Sequence, residues 1–177
     1  MHISKTKTMA VLGVLAALST VLTVLGTVIS VNTIFFTAMA AFLAGIAALR
    51  YGMGYGTIFF GVCALLDFIF NPNKLHVFLY LGLGGYLLIS EGSYRLLQKR
   101  KIDSREWIHR VFRLLIFLSI YLPLLFFVPK LLISDKFLQI AAFYPIMIVG
   151  GIFVWVVYDV AYGAFKHYFY ERFGGMI

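Results

Sequence analysis

Near the end of an apolar run, the stretch GVCALLDFIFNPNK, residues 61 to 74, holds a single carboxylate, Asp67, followed closely by Asn71, Pro72, Asn73 and Lys74. His76 and Tyr80 come next, four residues apart, and so share one face of any helix that begins there. Together these side chains offer carboxylate, amide, ammonium, imidazole and phenol groups, a donor and acceptor set suited to holding a small polar solute at a helix junction. An ionisable group inside an apolar span is expensive and usually faces a bundle interior or a water-filled cavity, which makes Asp67 a candidate binding residue. The competing reading is structural: Asp67 paired with Lys74 or His76, and Asn-Pro-Asn as a capped turn.

Other polar residues lie where they could join the same cavity: Asn32 in an earlier turn, Tyr121 in a later apolar run, and Gln139 and Tyr144 around the last turn. Some are also what a membrane interface collects, since tyrosine is enriched there. Lys74, Lys130, Lys136 and His76 favour a solute with a carboxylate or other anionic group. His76 alone is no metal site, and no cofactor is expected. No nucleophile elbow, metalloprotease motif, paired catalytic carboxylates or phosphate loop stands in a suitable context, so catalytic residues are not expected. Gly52, Gly54 and Gly56 resemble a phosphate loop only in spacing, because apolar runs rather than a strand and helix flank them.

The elements that must position these groups follow from composition. The 177 residues are 62% hydrophobic, 18% aromatic and 12% charged, against about a quarter charged in an ordinary soluble domain. About 20 apolar residues in a helix cross a hydrocarbon core of roughly 30 Å with every backbone polar group satisfied internally. The apolar runs predict helices near 8 to 29, 33 to 49, 55 to 70, 75 to 97, 108 to 128 and 138 to 165. The expectation is an all-α, polytopic membrane protein, a bundle of six transmembrane helices forming one domain over residues 1 to 177. Its one cysteine, Cys63, allows no disulfide framework.

The placement of the basic residues, which give a net charge of +8, orients the bundle. Cytoplasmic loops carry an excess of Lys and Arg. With six spans and both termini in the cytoplasm, only Lys74, Lys130 and Lys136 of the 15 basic residues fall outside. The same pattern explains the basic stretch QKRKIDSR without nucleic acid, which is not expected as a partner. In the first run, Ala10, Gly13, Ala16 and Ala17 recur at spacings of three and four, a small-residue face that lets another helix approach closely. That helix can belong to the same bundle or to a partner.

Three stretches carry a family resemblance: KTMAVLGVLAALSTVL, FLAGIAALRYGMGYGTIFFGVCALLDFIF and KLHVFLYLGLGGYLLISEGSYRLL. Together they resemble the substrate-binding S component of an energy-coupling factor (ECF) vitamin transporter, over roughly residues 5 to 97. The middle stretch matches the family's glycine-containing turn, a further glycine and an aspartate toward the outer end, here Gly52, Gly56, Gly61 and Asp67. Met53 stands where many members carry proline, and Gly13 where alanine is usual. The resemblance implies a multi-pass protein of a prokaryotic cell membrane that captures a small water-soluble vitamin or related micronutrient from outside. It also implies docking, through Ala10, Gly13, Ala16 and Ala17, on a transmembrane coupling subunit driven by two cytoplasmic ATPases. A membrane scaffold, and an intramembrane enzyme using Asp67 with His76, are the alternatives.

Overall fold

The computed structural model describes residues 5–29, 32–99, 106–127 and 143–173. Six helices account for them: α1 (Lys5–Val28), α2 (Thr33–Tyr51), α3 (Met53–Phe70), α4 (Leu75–Lys99), α5 (Glu106–Phe127) and α6 (Phe143–Phe173). There is no strand among the described residues. Helices α1, α2 and α3, His109–Phe126 of α5 and Tyr144–Tyr168 of α6 are long and apolar enough to cross a membrane. Helix α4 is not among them, and it carries Glu91, Arg95 and Lys99 in its second half. The expected boundaries hold to within a few residues for the first five helices, whereas α6 runs on through His167 and Glu171 to Phe173.

The chain divides into two compact units, His2–Ile116 and Phe117–Ile177. In the first, α1, α2, α3 and α4 pack against one another with α2 in contact with each of the other three. Residues 40 to 48 of α2 are buried without a break, so this part of the helix is enclosed on all sides rather than along one stripe, while Ile34 and Phe35 at its start are exposed. Its alanines, Ala40, Ala41, Ala44, Ala47 and Ala48, make that possible, because small side chains let neighbouring backbones close in where lipid supplies no hydrophobic drive for association.

Around α2 the neighbours bury single stripes at helical spacing: Thr8, Leu12, Ala16, Ser19, Thr23 and Gly26 of α1, and Gly56, Phe59, Cys63 and Asp67 of α3. The opposite faces are apolar as well, with Val14, Val21, Ile58, Leu65 and Phe68 exposed. A polar interior stripe beneath an apolar exterior is the arrangement a hydrocarbon solvent selects.

Two close contacts lock the α2 to α3 connection. Gly52 alone joins the helices, at φ +97°, a conformation that favours glycine. One turn on, a methyl group at Gly56 would fall within 2.5 Å of Ala48 Cα. Arg95 of α4 donates to the Ala48 carbonyl at 2.8 Å, placing a cation at the C-terminal end of α2, where the helix dipole favours it. In the second unit, Tyr121 stacks on Phe117, packs against Gly151 and donates its hydroxyl proton to the Met147 carbonyl at 2.8 Å.

Candidate functional site

The site is built where α3 ends. Asn71 precedes Pro72, and proline pushes the residue before it out of the helical region, here to φ −78° and ψ 123°. The last helical bond runs from Asn71 N–H to the Asp67 carbonyl at 2.8 Å. With its backbone turned away from the helix, Asn71 swings its side chain back over the final turn. Its Nδ2 donates to Asp67 Oδ1 at 3.1 Å, while its Oδ1 accepts the Asn73 N–H at 3.1 Å. A backbone N–H can only donate, so that contact fixes which end of the amide is oxygen and which end faces the carboxylate.

Helix α1 supplies the next link. Thr27 Oγ1 lies 2.7 Å from Asn71 Oδ1, 2.9 Å from His76 Nδ1 and 3.2 Å from the Thr23 carbonyl. A hydroxyl has one proton to give. Given to the nearest acceptor, Asn71 Oδ1, it leaves the Thr27 oxygen to accept from His76 Nδ1–H. The chain of donors then reads His76 to Thr27 to Asn71 to Asp67, tying the ends of α1, α3 and α4 together.

This chain stops one atom short. Asp67 Oδ2 has no hydrogen-bond partner although Asp67 is 1% exposed. The hydroxyl of Tyr80, 0% exposed, has none either. Asp67 lies close enough for its charge to act on Tyr80 and on the buried Cys63, and Ser19 stands beside both of those residues. Phe60 holds the Tyr80 ring by stacking at 5.4 Å and 24°. Burying a carboxylate with one neutral donor and a free oxygen costs several kcal/mol in ordinary folding terms, roughly 1 to 3 for an unmade hydrogen bond and more for a charged group.

The sequence-predicted residues divide accordingly. Asp67, Asn71, His76 and Tyr80 come together, and Asn73 joins through its backbone while its side chain is exposed. Lys74 does not pair with Asp67: its ammonium donates to the carbonyls of Phe68 and Asn71 and lies 5.0 Å over the Phe68 ring, capping the end of α3. Nor does His76 touch Asp67, being linked to it through Thr27 and Asn71. Asn32 is exposed at the start of α2 with no side-chain capping bond. Tyr121 and Tyr144 belong to the second unit, where Tyr144 stacks on Phe126. Gln139 lies outside the described residues.

Thr27 is the member that sequence reasoning missed. Its signal was present: Ser19, Thr23 and Thr27 stand four apart, one hydroxyl stripe on an otherwise apolar helix. The small-residue face of α1 is a separate feature. Gly13, Ala16 and Ala17 line an open apolar groove of about 750 Å³, walled on the α3 side by Val62, Leu66 and Phe70. Ala10 is exposed one turn before it. No family model, curated protein or solved structure matches this chain, so the site stands on its own geometry.

Proposed function

We propose that the protein is a membrane-embedded solute-capture subunit, without catalysis of its own, that holds a small polar molecule at the Asp67 end of its first four helices. The observation that carries this reading is the buried Asp67 Oδ2 without a hydrogen-bond partner, with the Tyr80 hydroxyl near it and beside the chain of donors from His76 to Asn71. Interior polar groups in apolar helices are costly, and a ligand that completes them is one reason to keep them. The resemblance to S components of ECF transporters supports the same reading and adds the coupling subunit, the ATPases and a vitamin-like solute. In this reading all six helices span the bilayer, α4 included, with both termini in the cytoplasm and the Asp67 end outside, in accord with the distribution of basic residues. The groove at Gly13, Ala16 and Ala17 is then the face for the coupling subunit.

Native mass spectrometry of the detergent-purified protein tests capture. A small molecule should travel with the wild type and be lost from Asp67→Ala. A wild type that carries nothing, and whose melting temperature responds to no member of a broad vitamin panel, counts against it. The same groove favours a second reading, a membrane scaffold whose partner helix seats there while the polar chain is structural. That reading takes over if the protein is empty yet co-purifies with a membrane partner that a bulky residue at Gly13 displaces.

A further inference from the structure

The chemistry of the open position at Asp67 narrows what it can hold. Asp67 Oδ1 is occupied by Asn71, and Oδ2 is an anionic acceptor with nothing to accept from. Tyr80 contributes a second buried oxygen, its ring stacked on Phe60 and its hydroxyl without a well-aligned hydrogen bond although Ser19 and Cys63 lie beside it. Among the described residues, the two basic groups nearest in sequence are turned elsewhere: Lys74 to the carbonyls of Phe68 and Asn71, and His76 to Thr27. An anionic solute group brought to this position would meet a like charge at low dielectric, whereas a cation would complete the carboxylate. A cation here stands beside the anionic group expected from Lys74, Lys130, Lys136 and His76, of which Lys130 and Lys136 lie outside the described residues.

We propose that Asp67 Oδ2 and the Tyr80 hydroxyl form a subsite for a single positive charge, either an alkali-metal ion or the protonated amine of a captured solute. Both candidates share the chemistry that the subsite asks for. Each is one charge, small enough for an enclosed position and satisfied by hard oxygen acceptors. The inference rests on reading the Asp67 cluster as a binding site. Its test is separate from that of capture, because a solute that travels with the protein need not place a cation here.

The experiment is thermal unfolding of the full chain in detergent at constant ionic strength. N-methylglucamine chloride serves as the bulky reference salt and is replaced stepwise by sodium, potassium or methylammonium chloride. The expected result is a saturable rise in melting temperature with at least one small cation, absent when sodium acetate is compared with sodium chloride. Asp67→Asn keeps the shape and the Asn71 contact but should abolish the response. Tyr80→Phe should weaken the apparent affinity about tenfold, the loss of one hydrogen bond to a charged group. A response to sodium or potassium alone identifies an inorganic ion, and one to methylammonium alone a solute amine. Should Asp67→Asn fail to fold, Tyr80→Phe decides: a weakened response supports the subsite and an unchanged one overturns it. Indifference of the wild type to every small cation, or a response that Asp67→Asn retains, overturns it as well. A bound solute found by mass spectrometry alongside such indifference would leave capture standing and remove only the cation.

Discussion

One hydroxyl decides how firmly the polar end is closed. Thr27 meets Asn71 and His76 with the same oxygen, and the two partners flank the turn between α3 and α4. Replacing it by valine keeps the volume but leaves His76 Nδ1 without this partner and Asn71 Oδ1 with only the Asn73 N–H. The expected loss is about 1 kcal/mol of stability, the net contribution of a hydrogen bond at this half-buried position. Thr27→Ser, which keeps the oxygen, should recover most of it. Both are read by unfolding in detergent or by steric trapping in bicelles, and a Thr27→Val variant as stable as the wild type would show that the chain contributes nothing. Asp67 and Tyr80 were visible in the sequence as exceptions to an apolar background. Thr27 stood in a hydroxyl stripe with Ser19 and Thr23, but its role was hidden because its partners lie 44 and 49 residues away.

Helix packing turns on where small residues face each other. Gly56 meets Ala48 so closely that any side chain must displace backbone, whereas Gly61, on the same helix, has open space where a Cβ would go. Gly56→Ala should therefore cost about 1 to 3 kcal/mol through overpacking. Gly61→Ala should leave stability unchanged or raise it slightly, since alanine is the better helix former. Equal effects of the two would mean that α2 and α3 are not in contact at this point. The helices themselves were legible from run length and breakers: Pro72 ends α3, and Gly52 divides α2 from α3. What the pattern could not give was the enclosure of α2. Alanine-rich TAMAAFLAGIAAL reads as a weakly hydrophobic span, and only packing reveals it as the centre of its unit. The extent of α6 was underestimated for the opposite reason, since charge at Lys166, His167 and Glu171 signals an interface while an exposed i, i+4 contact between His167 and Glu171 at 3.2 Å is compatible with continued helix.

At the scale of the molecule, the two ends of α3 should face opposite sides of the membrane. With Cys63 replaced by alanine, a single cysteine at Asn73 should react with an impermeant maleimide on intact cells. One at Gly54 should react only after permeabilisation. Labelling of both from outside would break the proposed orientation. The apolar spans were legible in the sequence because lipid imposes a coarse code of apolar length, one that needs no partner residues to be known. The link from α2 to α3 adds something about how the protein is made. A joint of one residue, Gly52, leaves the growing chain no slack between its second and third helices. We expect the two to enter the bilayer together as a helical hairpin, with Ala48 against Gly56 beside its turn.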